Sequence, residues 1–504
     1  MATIVQAFTQ AQPTGIDMIQ LSYLAWLEGQ SNEQFSRYVK YREYYDGDQA
    51  TCLTKRLRAF LNVDNDADFN LNACPIVVDS LAEKLKVEGF TTETDKKQPE
   101  TFAEWWKHNR MDGQQGVVHL AAVRDGDTYV LVEWDNEKGI PIFTQENAHD
   151  GYEGMHVIYS DERRRIPLLA VKRWTITSGM NVLTRRTNIY YADRIEKYSD
   201  MGTGQAWQPF YEEGSDVWPI PWTEDGLESG VPLGLPVFHF RNKDQGASYG
   251  VSELDNVTPG QDALNKTVVD LLGAADTTGF QMLTATGVPE TDKYTVGPGI
   301  LLRSSSESAS FGSIPPGDLA GLMALKDSWF ADIAKITRTP TSFFQLTGAI
   351  AAAGTLKEQR SGLDAKAEDR QVTFGNAWED VMAFARHIAN VFGSAGMDEA
   401  LLIVATWTDV EEPTDLERAE EAELMNRAGA ASVKTKVGVL HPKWSAKEID
   451  AEVELILAET GQAVPDIGPP PEATLPPPPT VRETKFVKDA AGAIVGKIET
   501  QTGA

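Results

Sequence analysis

Two apolar repeats at helical spacing, separated by a stretch without a single charged residue, constrain this chain more than any other feature. The first covers residues 317–338, with Leu319, Leu322, Trp329, Phe330, Ile333 and Ile336 on one face. It stops at Arg338-Thr339-Pro340, because proline lacks the N–H that a continuing helix needs. The second begins near Thr355 and continues for about forty residues through Leu356, Leu363, Phe374, Trp378, Val381, Ala385, Ile388 and Phe392. Between them, residues 341–354 read Thr-Ser-Phe-Phe-Gln-Leu-Thr-Gly-Ala-Ile-Ala-Ala-Ala-Gly. Loops of that length inside compact domains are usually functional or disordered. The expectation is a loop that projects into a channel formed by many copies of the chain.

Size and charge narrow the function classes. A chain of 504 residues has material for two to four domains. Its formal net charge of −28 argues against tight binding of nucleic acid over the whole surface, since that affinity comes from Lys and Arg neutralising phosphates. The same acidity keeps a protein soluble and still allows it to surround a duplex without gripping it. Cys52 and Cys74 imply no disulfide framework, which fits a reduced compartment or a particle assembled in the cytoplasm. The first residues lack the basic and apolar regions of a signal peptide. No apolar run is long enough to span a membrane.

The rest of the chain alternates between helical and strand-like patterns. Residues 16–45 read as a helix through Ile19, Tyr23, Leu27, Phe35 and Tyr38, and residues 72–87 as a second, with Asn72 as N-cap and Gly89 as terminator. Residues 102–109 read as a short helix carrying Trp105 and Trp106. From 117 to 241 the period turns to alternation, with strands expected at 117–122, 128–134, 155–159, 168–175, 188–198 and 236–240. Residues 202–234 read as an extended loop. Residues 250–276 are helical again, with Thr258-Pro-Gly-Gln261 as a capping box. Residues 279–316 are a strand-and-loop excursion with runs at 280–284 and 300–303. The helices flanking it match at about twenty-one residues, or roughly 31 Å each, as a stalk with a compact tip would. Residues 400–406 are strand-like. Residues 409–423 carry eight acidic residues and one arginine and lead into a helix ending near Ala430. Residues 432–440 and a last helix ending at Gly461 follow. Residues 465–479 form a Pro-rich linker, and the tail beyond it forms a hairpin or stays mobile.

Catalytic patterns are missing. Gly260-Gln-Asp-Ala-Leu-Asn-Lys-Thr267 has the Gly, Lys and Thr of a phosphate loop, but Asn265 replaces the second Gly and the segment sits within an amphipathic helix. Lys266 reads as an exposed charge or an inter-subunit contact. The seven histidines form no metal spacing; His119 and His239, both in expected strands, read as ordinary hydrogen-bonded side chains. There is no Gly-x-Ser-x-Gly elbow, and no cofactor is expected. The acidic run at 409–423 reads as a solvated helix face. Arg163, Arg164 and Arg165 read as a solvated turn or as ion-pair partners of a neighbouring acidic subunit.

The order of elements resembles a known family. Tyr41-Arg-Glu-Tyr-Tyr-Asp-Gly47 is similar to the Y-x-x-Y-Y-x-G opening of tailed-bacteriophage portal proteins, in the siphophage branch. Residues 72–90 resemble that family's N-x-x-x-x-I-V-D-x-x-A-x-x-L-x-V-x-G-F helix. Tyr249-Gly-Val-Ser-Glu-Leu254 followed by Gln261-Asp-Ala-Leu-Asn265 resembles the entry to a first stem helix. Thr339-Pro340, Gly354-Thr-Leu-Lys-Glu358 and Phe374-Gly-Asn-Ala-Trp-Glu379 resemble the tunnel loop and the long helix after it. The match extends over roughly residues 35–395.

The resemblance implies an α+β portal fold. Its parts would be a helical and β-rich wing at 1–249, stem helices at 250–278 and 317–340 around a small β-containing clip at 279–316, and a tunnel loop at 341–354. A long wing helix with a following strand at 355–408, a helical crown at 409–461 and a linker and tail at 462–504 complete it. It implies a dodecameric, non-enzymatic ring at one capsid vertex of the virion, assembled in the host cytoplasm. Double-stranded DNA would pass through it non-specifically. Its partners would be copies of itself, the terminase large subunit, a head-completion or adaptor protein, and the major capsid and scaffolding proteins, with no membrane. The implied DNA-proximal residues are Thr341, Ser342, Phe343, Phe344, Gln345, Leu346, Thr347 and Gly348, with Phe343 and Phe344 either facing DNA or packing between neighbouring loops. The implied stem residues are Leu264, Val268, Leu271, Leu322, Trp329 and Ile333. The competing reading is an acidic adaptor or scaffold that binds partners without forming a channel.

Overall fold

The computed structural model describes residues 33–49, 70–92, 97–159, 166–178, 181–200, 207–279, 283–288, 304–313, 319–344, 353–411, 415–460, 482–488 and 494–501, apart from isolated positions within these spans. Two compact units result, Met1–Glu411 and Glu412–Ala504.

The first unit opens with α1 (Glu33–Asp46), α2 (Cys74–Ala82), β1 (Val87–Thr92), α3 (Lys97–His108) and α4 (Met111–Asp125). Then come β2 (Asp127–Asp135), β3 (Ile140–Asn147), β4 (Gly154–Tyr159), β5 (Pro167–Ser178), β6 (Asn181–Tyr190), β7 (Arg194–Ser199), β8 (Gln208–Pro209), β9 (Ile220–Pro221) and β10 (Val237–Arg241). All named pairings are antiparallel. β10, β2 and β3 form one sheet, and β4 to β8 form a meander whose β7 also pairs with β9. The unit continues with α5 (Thr258–Gly279), β11 (Leu283–Thr286), β12 (Ser310–Ser313), α6 (Leu319–Thr337), a 3-10 turn (Thr341–Phe343), α7 (Ala353–Gly393) and β13 (Ile403–Trp407). β13 pairs with β1, and β11 with β12.

The main core forms around α7. Leu363, Ala367, Phe374, Trp378, Val381, Ala385 and Ile388 are all fully buried, at the three- and four-residue steps that place them on one face. They pack with Val77 and Leu81 of α2, Val118 and Ala122 of α4, Val130 and Val132 of β2, and Leu264 of α5. The helix is therefore the spine of the unit, and the elements on either side of it in sequence meet across it.

Several sequence expectations are corrected. Residues 117–122 lie in α4, not in a strand. Val118, His119, Ala121 and Ala122 are all buried, while Gly113, Gly116 and Val117 are exposed, so glycines and a valine stand where charged residues would have revealed the helical period. Residues 188–198 are two strands, β6 and β7, turned at 191–193, where Tyr191 N–H donates to Arg194 O at 2.9 Å. The strand β3 was not anticipated. The second helix ends at Ala82, and Gly89 pairs with Thr406 in β1 instead of terminating a helix.

Asn72 does not occupy the N-cap position, which belongs to Ala73. Its carbonyl accepts from Cys74 N–H at 3.0 Å, while its amide donates to the carbonyls of Tyr44 and Tyr45 at the end of α1. The helix expected from residue 250 starts at Thr258. There is no capping box: Thr258 Oγ1 accepts from Lys40 Nζ at 2.9 Å, and Gln261 bonds Ala73 N–H and Leu71 O. The short helix with the two tryptophans begins earlier, at Lys97. The long helix starts at Ala353, inside the span expected as loop. The flanking helices α5 and α6 have 22 and 19 residues. Residues 16–32, 160–165, 300–303 and 465–479 lie outside the described residues.

The second unit contains α8 (Asp415–Ala428), α9 (Val433–Leu440), α10 (Ala446–Thr460) and the hairpin of β14 (Arg482–Lys488) and β15 (Ile494–Gln501). Ser432 caps α9 by accepting from Thr435 N–H at 3.1 Å. Glu420, Glu421 and Glu423 of the acidic run are exposed on α8.

Candidate channel-lining elements and their support

Helices α5 and α6 pack on each other through Leu264, Val268 and Ile333, which are buried. Gly260 brings them close: a methyl group there would meet Ile333 at 3.2 Å. Trp329 adds a hydrogen bond from its indole N–H to Thr267 Oγ1 at 3.2 Å. Leu271, Leu322 and Trp329 are half-buried. The pair also exposes large apolar side chains: Met323 is 51% and Ile336 61% accessible, and Leu272 and Leu325 are exposed too; on α6, Leu325 and Ile336 share one side and Met323 lies on the other.

The C-terminus of α6 is stopped by backbone geometry. Arg338 adopts the left-handed conformation, with φ of 55°. Its N–H donates to Lys335 O at 3.3 Å, and Thr339 N–H donates to Ala334 O at 3.0 Å. This is the paired closure of a Schellman end, which normally uses glycine because a side chain is strained there. Pro340 then prevents further helix. Gly362 of α7 lets Arg338 lie close, since a Cβ at 362 would meet Arg338 Cβ at 3.4 Å.

A buried charge cluster supports this helix end. Lys366 of α7 donates to the carbonyl of Thr337 at 2.8 Å and to Glu253 Oε2 at 2.8 Å. Glu253 also meets Lys243 at 3.2 Å and Arg370 at 3.3 Å. Arg370 Nε donates to Asn242 Oδ1 at 2.5 Å. Burial alone would raise the Glu253 carboxyl, but Lys366, Lys243 and Arg370 outweigh it and hold it at about 2. A cavity of about 350 Å³ adjoins the cluster, walled by Lys243, Glu253, Ile336, Arg338, Lys366 and Arg370 among others.

Beyond Pro340, Thr341, Ser342 and Phe343 form the 3-10 turn. Phe343 is exposed, whereas the ring of Phe344 lies 6.0 Å from that of Phe330 on α6. Gln345, Leu346, Thr347 and Gly348 lie outside the described residues.

A second polar network lay hidden in the sequence. Asp127 accepts from Tyr38 hydroxyl at 2.6 Å, from Gly250 N–H at 2.6 Å and from His239 Nε2–H at 2.7 Å. The other ring nitrogen of His239 accepts from Tyr159 hydroxyl at 2.7 Å, and Tyr159 oxygen accepts from Arg241 at 2.6 Å. The Asp–His–Tyr order has the form of a catalytic relay. Asp127 is fully buried, however, and the Tyr159 oxygen is taken by a guanidinium. The network joins α1 to the β10–β2 sheet. No spacing rule could have found it, because its members are brought together from four separate segments.

His119 is equally constrained. Its Nε2 lies 2.9 Å from the indole N–H of Trp378 and its Nδ1 2.9 Å from Leu85 O. Trp can only donate and a carbonyl can only accept, so the ring is neutral and protonated at Nδ1. Burial pushes it down to about 4. His119 and His239 are thus hydrogen-bonded structural residues, although His119 lies on a helix. Lys266 pairs with Asp270 at 2.9 Å on an exposed helix face. Among the described residues, no group of three His, Cys, Asp or Glu is placed to hold a metal, and no helix is long and apolar enough to cross a membrane.

The chain is similar to known proteins over most of its length. The model of a family described as "Phage portal protein, SPP1 Gp6-like" matches residues 24–466. A portal protein of Mycobacterium phage D29 is 22% identical over 370 residues, covering 69% of this chain and 70% of that protein. A solved structure titled "Neck of native GTA particle computed with C12 symmetry" aligns over 73% of this chain and 87% of that chain, at 12% identity and a TM-score of 0.38.

Proposed function

Because the chain belongs to the SPP1 Gp6-like phage portal protein family, whose members are structural components of the capsid vertex and not enzymes, we propose that twelve copies close into a ring whose bore conducts double-stranded DNA. Helices α5 and α6 form the stem, the β11–β12 excursion the clip, residues 341–352 the tunnel loop, and the helices of the second unit the crown. Packaging brings DNA inward through the bore and infection releases it. The terminase large subunit and later a head-completion protein dock on the clip, and the major capsid and scaffolding proteins meet the wing. Assembly takes place in the host cytoplasm.

One observation carries this reading: four large apolar side chains, Leu272, Met323, Leu325 and Ile336, stand exposed on the paired helices, with Met323 on the opposite side of α6 from Leu325 and Ile336. Exposed apolar residues of this kind fit an interaction surface, and apolar residues on two sides of one helix suit the head-to-tail contacts of a ring, in which each copy meets a neighbour on either side. The charge of the same helices supports passage instead of binding. α5 carries Asp262, Asp270 and Asp276 against Lys266, and α6 balances Lys326 and Lys335 with Asp327 and Asp332. Few phosphate contacts mean little salt-dependent affinity to brake a moving duplex. The same exposed apolar residues favour the ring over a monomeric adaptor.

End-on electron microscopy of the purified chain tests the proposal. Rotationally symmetric particles with a central hole wide enough for B-form DNA are expected. A chain that stays monomeric at assembly concentrations would overturn it.

A further inference from the structure

The cavity beside the end of α6 holds more positive charge than its own carboxylates neutralise. Lys243, Arg338, Lys366 and Arg370 face Glu253 and Asp369 across it. Glu253 is shared by Lys243, Lys366 and Arg370, and Asp369 pairs with Arg370. Arg338 has no carboxylate partner among the described residues. Such an excess stands out in a chain of net charge −28.

Backbone strain singles out the same place. Among the described residues, four non-glycine positions have positive φ, and two of them, Lys243 at 47° and Arg338 at 55°, line this one cavity. Strained conformations persist only where the surroundings over-determine them, and they gather at functional sites. Glycine at 338 would satisfy the helix end without strain. The arginine is therefore kept for its side chain, not for the turn.

Resting on the ring reading above, we infer that this cavity is an oxyanion site occupied by a carboxylate side chain from the adjacent copy of the chain. Three observations select that occupant. Ile336, on the cavity rim, is one of the exposed apolar residues that a neighbouring copy covers, so covering it brings the neighbour's surface to the opening. The chain as a whole offers an excess of carboxylates, with 74 Asp and Glu against 46 Lys and Arg. The planar guanidinium of Arg338 suits bidentate capture of a carboxylate. DNA is the poorer occupant, because cations repeated in every copy would hold phosphates and oppose transit. Arg338 immediately precedes Thr339-Pro340 and the tunnel loop, so the contact ties that loop's root to the neighbour.

The test uses Arg338→Gly in the full chain. Glycine fits the left-handed position, so the unfolding midpoint of the dissociated chain should stay level or rise. The ring should nonetheless dissociate about tenfold more readily on dilution, measured by native mass spectrometry, because truncating one side of a close charge pair raises the off-rate. Lys243→Asn, which also tolerates positive φ, should act in the same direction, and Arg338→Lys should restore part of the loss. Inorganic phosphate should loosen wild-type rings more than chloride of equal ionic strength, and should lose that advantage on Arg338→Gly. Rings of Arg338→Gly as durable as wild type would overturn the inference. So would phosphate binding that leaves ring durability unchanged, which reduces the cavity to an adventitious small-anion binder. A wild-type chain that forms no ring would sink the functional reading and this one together, whereas rings indifferent to Arg338 sink this one alone.

Discussion

Lys366 Nζ donates to the carbonyl oxygen of Thr337 at 2.8 Å, so the long helix α7 caps the end of α6. The same ammonium holds Glu253 at 2.8 Å. One cation thus joins a helix terminus, where negative carbonyl ends accumulate, to a buried carboxylate in the segment that precedes α5.

Replacing Lys366 with Met keeps the length of the side chain and removes both bonds. Lys366 is 10% exposed and Glu253 2%, so the pair is poorly screened and Glu253 loses one of its three cations. Breaking a buried pair from one side costs about 3–5 kcal/mol. A fall in the chemical unfolding midpoint of that size is expected, with a smaller loss for Lys243→Met, whose side chain is 25% exposed.

Acid should weaken the first unit in two separate steps. His119 is held neutral down to about 4 against an ordinary value of 6.5. Between those values the unfolded chain binds a proton that the folded chain refuses, so stability falls as pH drops from 6.5 towards 4. Glu253 behaves as a depressed carboxylate: its contribution is complete above about 4.5 and is lost as pH falls towards 2. Denaturant titrations at a series of pH values should show the upper step shrink in His119→Gln, the remainder coming from His149 and His156, which burial pushes down to about 4 and about 3, and the lower step persist in it.

Gly250→Ala should be severely destabilising although the residue lies in a loop. An added Cβ would stand 2.2 Å from Gly126 O and 2.6 Å from Asn242 O, both backbone atoms that cannot swing aside. Relief would draw the Gly250 N–H away from Asp127, which it bonds at 2.6 Å. A loss of about 3 kcal/mol, the upper part of the overpacking range, is expected from the unfolding midpoint.

Met323→Glu combined with Leu325→Glu separates folding from assembly. Both side chains are exposed in the single chain, and surface changes of this kind cost within about 0.5 kcal/mol. The monomer midpoint should therefore hold while the ring population collapses, as read by sedimentation. Rings that survive both substitutions would remove these apolar residues from the assembly interface.

The sequence determined the helices whose apolar residues repeat along a single face. The α7 spine from Leu363 to Ile388, the helices α5 and α6, and the stop at Arg338-Thr339-Pro340 were all readable, because period and backbone chemistry are local properties. Between α5 and α6 the expected run at 280–284 overlaps β11, whereas β12 at 310–313 was not anticipated, and the tail hairpin was one of two readings the sequence left open. Tertiary structure alone decided that residues 117–122 are helical, since α4 exposes Gly113, Gly116 and Val117 where charged residues would have marked its period, and that Gly89 belongs to a strand, since its partner Thr406 lies more than three hundred residues further along the chain. It also decided every charge contact that matters. Glu253 gathers Lys243, Lys366 and Arg370, and Asp127 gathers Tyr38, His239 and Gly250, from segments that no spacing relates. Electrostatic partners are chosen by distance in space, which sequence separation does not encode.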